Sequence, residues 1–372
     1  MPKSVMCVVG ARPNFMKIAP LMRQIKTSAA LEAYLVHTGQ HYDAAMKTTF
    51  FEQLQIPEPD EDLGVGSGSH AVQTAEIMQR FEPVVDTQAP DAVLVVGDVN
   101  STVACALVAA KKGLPIIHVE AGLRSFDRRM PEEVNRVLTD QMSDLLFTTE
   151  RQALENLRRE GIDPQRVHFV GNVMIDTLLE NLGRAPSVAA VLDAVGVGPA
   201  LEGERFGVVT LHRPSNVDEP AVLQRLLQTL LELSGELPLL FPLHPRTSAR
   251  LESAGLMDMA QSAFTLLPPL DYLQMLALLQ HATLVLTDSG GIQEETTALG
   301  VPCLTLRDNT ERPITVTEGT NSIVGSDPER ILATARDVLK DGGKAGRIPE
   351  LWDGRAAGRI VERIDHWFRT IH

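Results

Sequence analysis

Val93-Leu94-Val95-Val96-Gly97-Asp98-Val99-Asn100-Ser101-Thr102 is an unbroken apolar run, then a glycine turn, then short polar side chains that open a helical pattern. A strand with one face in water alternates apolar and polar residues, whereas a strand covered on both faces has no need to. The run therefore reads as a buried strand of a parallel sheet, and the polar stretch after it as the start of a crossover helix. The same punctuation recurs along the chain. Strand candidates in the first half are Val5–Val9, Leu35–Thr38, Ile116–Val119, Leu145–Thr148 and His168–Val170. Those in the second half are Phe206–Thr210, Leu239–Pro242, Phe264–Leu266, Leu284–Thr287, Cys303–Leu306 and Ser322–Val324. Helical patterns between them read as right-handed βαβ units. Two such series in 372 residues predict an α/β protein of two doubly wound domains. The seam is expected between about Asn172 and Glu204, a region holding a helix over Val173–Leu182 and a motif-free stretch, Ala185–Gly203. Pro20, inside the first helical pattern, predicts a kinked or interrupted helix.

Lysine and arginine number 34 against 48 acidic residues, a net charge of −14, and no basic run is present. Nucleic acid is thus not an expected partner. No apolar run reaches membrane-spanning length, and Met1-Pro2-Lys3-Ser4 leads straight into a strand without a signal peptide. Cys7, Cys105 and Cys303 are far apart in apolar stretches, the usage of a reducing cytoplasm. An acidic chain acting on an anionic substrate must gather its few cations at one place.

The chemistry-bearing motifs share one position, the carboxyl end of a strand, where open α/β sheets place ligands. Gly10-Ala11-Arg12-Pro13-Asn14-Phe15-Met16-Lys17 offers a glycine turn, backbone N–H groups and two cations to an anion. It is neither a Walker A loop nor a GxGxxG fingerprint, so neither ATP nor NAD is indicated. Asp98 is either a helix cap or a functional carboxylate. His118-Val119-Glu120-Ala121-Gly122-Leu123-Arg124 ends a strand in a glutamate expected to be exposed, and Pro131-Glu132-Glu133 opens another helix with two carboxylates. Asp98, Glu120 and Glu132 bordering one site would divide acid and base roles between them. In the second half, His212-Arg213-Pro214-Ser215-Asn216 and His244-Pro245-Arg246 set His and Arg just past strands. Asp288-Ser289-Gly290-Gly291-Ile292-Gln293-Glu294-Glu295 is a turn suited to a diphosphate, with Glu295 one helical turn on for ribose hydroxyls. Arg307 to Arg312 adds loop arginines. No HExxH, cysteine cluster or GxSxG elbow is present, so no metal site or serine-hydrolase site is indicated. Gly64 to Gly68 reads as a loop.

GARPNFMKIAPL, TGQHYD, VVGDVNST, HVEAGLRSFDRRMPEEVNR, HRPSN, TDSGGIQEE and DNTERP occur in the order found in the non-hydrolysing UDP-N-acetylglucosamine 2-epimerases, which the chain resembles from about Val5 to Gly325. The resemblance implies a GT-B-like fold: two Rossmann-like domains (1–172 and 173–353), a deep cleft, and a closing helix at about 354–372 that returns to the first domain. It implies interconversion of UDP-GlcNAc and UDP-ManNAc by elimination of UDP to a 2-acetamidoglucal and re-addition, without a cofactor. Asp98, Glu120, Glu132 and His212 would be catalytic. Arg12, Lys17, His244, Met275, Ser289, Gly290, Gly291, Glu295 and Arg312 would hold UDP, with Met275 standing where relatives carry an aromatic. Asn14 stands where many relatives carry Glu. Gln40 and His41 resemble part of a site where some relatives bind a second substrate molecule as activator. A cytoplasmic homodimer supplying surface polysaccharide is the family expectation. Rival readings are a 2-epimerase of a modified UDP-sugar such as a diacetamido-uronate, a hydrolysing variant, a GT-B glycosyltransferase, and a silent sugar-nucleotide binder.

Overall fold

The doubly covered runs fold as parallel strands in a computed structural model that describes residues 1–40, 50–198 and 205–370. The first sheet contains β1 (Lys3–Val9), β2 (Leu31–His37), β3 (Glu61–Asp62), β4 (Ala92–Val96), β5 (Ile116–Val119), β6 (Leu145–Thr148) and β7 (Val167–Phe169). All pairs are parallel, in the order β3-β2-β1-β4-β5-β6-β7. Every residue of β4, β5 and β6 is buried, as continuous apolar runs require. The second sheet contains β8 (Gly207–Thr210), β9 (Leu239–Pro242), β10 (Thr265–Leu267), β11 (Leu284–Thr287), β12 (Cys303–Thr305) and β13 (Asn321–Ile323). It too is parallel, in the order β10-β9-β8-β11-β12-β13. Both sheets start in the middle, run outward to one edge, and return to build the other side. The order reverses between β1 and β4 in one sheet and between β8 and β11 in the other. In open α/β sheets the loops leaving such neighbouring strands diverge, and ligands bind at that point.

Two compact units result, Met1–Glu180 with Glu350–His372, and Asn181–Pro349. In the first unit, α1 (Arg12–Thr27), α2 (His70–Gln88), α3 (Asn100–Lys112), α4 (Pro131–Met142), α5 (Arg151–Arg159) and α6 (Val173–Asn181) cover the sheet. Phe81 and Phe147 are wholly enclosed there, each worth about 1.5–3 kcal/mol relative to exposure. The second unit packs Leu223, Leu226, Leu227 and Leu230 of one helix face against Val209, Leu239, Phe241 and Leu286 of its sheet.

Helix α6 is tied to the first unit by side chains. Asp176 accepts the N–H groups of Ala356 (3.1 Å) and Ala357 (2.7 Å) at the start of the closing helix, Ala356–Thr370, which packs on α1. Trp352 Nε1 donates to Thr149 O at 3.1 Å.

Of the predicted kink or interruption at Pro20, the interruption does not occur: α1 is a single helix with Pro20 inside it. A proline lacks the N–H that would bond to the carbonyl four residues back, here that of Met16. The Thr177 hydroxyl donates to Met16 O at 2.6 Å, so the orphaned acceptor is satisfied by α6. Strand β2 begins at Leu31 rather than Leu35, because its mixed-polarity first half pairs in register with Lys3 to Met6. The two-residue edge strand β3 is too short to leave a periodic signal. No described helix is long and apolar enough to cross a membrane.

Candidate active site

In the first unit, the loops after β1 and β4 leave the reversal point and are stitched together by Asn14. Its Oδ1 accepts the N–H groups of Gly10 (3.1 Å) and Ala11 (3.2 Å), and its Nδ2 donates to Val96 O (2.9 Å). This places the start of α1 beside the Gly97-Asp98 turn. Gly97 adopts φ +67°, and a Cβ there would stand 2.7 Å from Lys17 Nζ. Only glycine meets both demands.

Lys17 is not a free cation of the helix start. It is buried, and its Nζ lies 2.7 Å from Glu120 Oε1, with the two side chains 3% and 1% exposed. The expected exposure of Glu120 is likewise corrected. Its backbone turns left-handed at φ +75°, folding the carboxylate back toward Lys17, while the N–H groups of Glu120 and Ala121 both donate to Phe147 O. A non-glycine residue in that conformation stores on the order of 1–3 kcal/mol of strain.

Asp98 is not a helix cap: α3 begins at Asn100 after a cap position at Val99 that makes no side-chain cap bond. Its carboxylate instead accepts from Arg136 at 2.9 Å, and its side chain keeps 17% exposure. Asn135 Nδ2 donates to Asp98 O at 2.9 Å. The two glutamates that open α4 separate in role. Glu133 is buried and accepts Ser125 N (2.9 Å), Ser125 Oγ (3.0 Å) and Phe126 N (2.8 Å), with Arg136 also bonded to it. Glu132 is half-buried. One face of α4 carries Glu132, Asn135 and Arg136, and the last two reach Asp98 past the end of β4. Arg12 stacks over the Phe50 ring at 4.6 Å.

Gln40 is buried, and its Oε1 accepts both Ser101 N (3.0 Å) and Ser101 Oγ (2.8 Å). That oxygen tethers a loop to the start of α3. His41 lies outside the described residues.

In the second unit the anchor is Asp288, which is wholly buried. It accepts His212 N (3.1 Å), Arg213 N (3.0 Å) and Asn216 Nδ2 (3.1 Å), and faces His212 Nδ1 at 3.0 Å. Burial would push the Asp288 carboxyl up, but the His212 ring and the N–H groups of Arg213 and His212 outweigh it and hold the group below its ordinary value. The His212 ring is thereby fixed with its side chain 35% exposed. His244 stands 5.5 Å away, ring to ring, and its Nδ1 accepts Arg246 N (3.2 Å), so Nε2 carries the proton.

Ser289 occupies the cap position of the helix Gly290–Leu299. At Gly290 a Cβ would meet Glu311 Oε1 at 2.6 Å, so its hydrogen lets a buried carboxylate close on the helix start. Glu311 in turn gathers Arg307 (2.8 Å) and Arg213 (3.8 Å). Burial raises the Glu311 carboxyl, yet Arg312, Arg307 and Arg213 together hold it far below its ordinary value. Arg312 Nε lies 2.9 Å from Glu294 Oε1, and Glu295 is buried beside it. A helix N-terminus flanked by three arginines and two histidines is an anion-binding arrangement. Met275 packs partly against the core below the sheet. Among the described residues no group of His, Cys, Asp or Glu side chains could hold a metal ion.

The sequence motifs singled out Asp98, Glu120, Glu132 and Lys17 in the first unit and His212, His244, Ser289 and Arg312 in the second. They missed Arg136, Asn135, Asp288 and Glu311. Asp288 carried a usable signal, being a strand-end acid like Asp98. Arg136 carried none beyond its helical spacing from Glu132.

The family profile described as UDP-N-acetylglucosamine 2-epimerase matches residues 23–365. The UDP-N-acetylglucosamine 2-epimerase of Methanococcus maripaludis is 42% identical over 90% of this chain and 91% of its own. The UDP-2,3-diacetamido-2,3-dideoxy-D-glucuronate 2-epimerase of Pseudomonas aeruginosa is 42% identical over 97% of this chain and 99% of its own. The crystal structure of the Methanocaldococcus jannaschii UDP-GlcNAc 2-epimerase in complex with UDP-GlcNAc and UDP superimposes with a TM-score of 0.89 at 38% identity, covering 98% of this chain and 99% of that one. With two parallel doubly wound units of the GT-B-like type and this similarity over nearly its whole length, the chain belongs to the UDP-N-acetylglucosamine 2-epimerase family of isomerases.

Proposed function

We propose that the chain interconverts UDP-N-acetylglucosamine and UDP-N-acetylmannosamine by eliminating and re-adding UDP. The observation that carries the reading is the segregation of chemistry: proton-transfer carboxylates at the first reversal point, an arginine- and histidine-flanked helix start at the second. The hydrogen on C2 is not adjacent to a carbonyl, so its removal needs a leaving group on C1. A carboxylate takes the C2 proton, the C2–H pair becomes the C1–C2 double bond, and the C1–O pair departs with UDP. Protonation of the resulting 2-acetamidoglucal from the opposite face and return of the diphosphate oxygen to C1 give the epimer.

Asp98, Glu120 and Glu132 form the proton-transfer set. Lys17 serves Glu120, and Arg136 serves Asp98. His212, oriented by Asp288, and the helix start at Ser289-Gly290-Gly291 stabilise the departing diphosphate, with Arg12, His244 and Arg312 adding donors. Glu295 and Met275 are assigned to the ribose and the base. The reading extends to a cytoplasmic homodimer that supplies a surface-polysaccharide precursor, on family resemblance. A second reading keeps the chemistry and changes the sugar: the Pseudomonas aeruginosa relative is equally identical and covers more of the chain.

The test is incubation of the purified protein with UDP-GlcNAc in D2O without NAD or added metal, with proton NMR as the readout. A second UDP-sugar carrying deuterium at C2 is expected. Free N-acetylmannosamine with UDP would indicate hydrolysis instead. No exchange with UDP-GlcNAc but exchange with the diacetamido-uronate would move the assignment to the second sugar.

A further inference from the structure

His118 and Asp140 are wholly buried beneath the first reversal point, touch no surface, and have no part in the elimination scheme. Yet they sit between the two loops that matter most to it. His118 lies on β5, two residues before Glu120. Its Nε2 stands 2.9 Å from Gly97 O, a carbonyl that can only accept, so Nε2 donates to the residue before Asp98. Its Nδ1 stands 2.7 Å from Asp140 Oδ1.

Asp140 uses its other oxygen on the far side of Glu120. Oδ2 accepts Gly122 N at 3.1 Å and Arg124 Nη2 at 2.6 Å. Arg124 is itself held by Glu160 at 2.6 Å, and Gly122 O accepts Asn156 Nδ2 at 2.9 Å. The left-handed Glu120 is thus clamped on both flanks by one carboxylate, and the same clamp reaches the Asp98 turn through the imidazole. Asp140 also lies one helical turn beyond Arg136 on α4, so the helix that pairs with Asp98 carries the clamp as well.

We infer that His118 and Asp140 are positioning residues that lock Glu120 and Asp98 into one fixed spacing for proton transfer. The inference rests on the epimerase reading of those two carboxylates. Misplacing a proton-transfer group by about 1 Å is enough to cost roughly 10²-fold in rate, whereas UDP binding, assigned to residues outside this clamp, has no reason to change.

Two substitutions divide the imidazole's work. His118→Asn keeps a donor near the Nδ1 position for Asp140 and loses the contact to Gly97 O. His118→Gln keeps a donor near the Nε2 position and loses Asp140. Steady-state epimerisation per folded enzyme, with UDP affinity by calorimetry, is the assay. His118→Asn is expected to lower kcat by about 10²-fold with KM and UDP affinity little changed, and His118→Gln to recover most of kcat. A kcat for His118→Asn close to that of the unmodified enzyme, or equal losses in both variants, would overturn the inference. Should neither variant fold, Asp140→Asn replaces them: a fall in kcat at constant UDP affinity supports the clamp, and an unchanged kcat overturns it. An unmodified enzyme that exchanges no C2 proton of any UDP-sugar tried would remove the function reading and this inference together.

Discussion

Replacing Lys17 with methionine removes the ammonium 2.7 Å from Glu120 Oε1 while keeping the length and apolar stem of the side chain. Both side chains are almost fully shielded from solvent, so the pair belongs to the class in which losing one partner costs about 3–5 kcal/mol. An exposed pair would cost about 0–1 kcal/mol. For a unit of roughly 200 residues, about 2–4 °C of melting temperature accompanies each kcal/mol; the expected drop is then on the order of 10 °C. Urea unfolding of Lys17→Met, Glu120→Gln and the double variant measures the coupling directly. The double variant buries no mismatched charge, so it should be markedly more stable than the sum of the single losses implies. Calorimetry with UDP should show affinity within severalfold of the unmodified protein in all three, because Lys17 faces Glu120 rather than an anion site. A cost for Lys17→Met of below about 1 kcal/mol, or strict additivity in the double variant, would refute the buried pair.

Thr177→Val deprives Met16 O of its donor and should cost about 1–3 kcal/mol in chemical unfolding; in a Pro20→Ala background, where residue 20 regains its N–H, most of that cost should vanish. Asp176 is pushed up to about 6, chiefly by burial, with the Ala357 and Ala356 N–H groups opposing it. A raised carboxyl favours folding below its unfolded value, and that contribution is lost as pH rises through about 6; a carboxyl-carbon NMR titration with its midpoint near 4 would contradict this. Asp98→Asn should abolish C2 proton exchange and cost about 1–3 kcal/mol of stability, because it weakens the partner of the buried Arg136. Asp288→Asn, which loses a fully buried acceptor, should lower stability by about 1–3 kcal/mol and weaken UDP binding; the two effects are read by unfolding and calorimetry side by side.

The strands were legible because runs such as Val93–Val96 and Leu284–Thr287 are apolar without alternation, which few other structures tolerate. The site loops were legible because each comes directly after such a run, and sheet order then puts the loops after β1 and β4, and after β8 and β11, at reversal points. Partners were not legible. Lys17 and Glu120 meet across 103 residues, and Arg136 and Asp98 across 38. No local pattern encodes such pairs. The unbroken α1 escaped for the same reason: a proline's local effect is plain from sequence, but the compensating Thr177 hydroxyl comes from a helix 161 residues away.

Residue type at a given place in the fold does not fix its role either, as Asp98 and Asp288 demonstrate. Both come after the strand that neighbours the first strand of its unit, β4 beside β1 and β11 beside β8. Both lie near an asparagine from the helix start that follows that first strand: Asn14 bonds the end of β4, and Asn216 bonds Asp288 itself. What separates the two acids is one intervening residue. Asp288 comes directly after Thr287, stays beneath the His212 loop, and spends its oxygens on N–H groups and an imidazole. Gly97, at φ +67°, carries Asp98 past the end of β4, where its carboxylate meets Arg136 and retains access to solvent. A buried, saturated carboxylate can orient a histidine but has no face left for a substrate. One at the rim, beside an arginine, does. The glycine, rather than the aspartate, is therefore what gives Asp98 an open face at the end of β4.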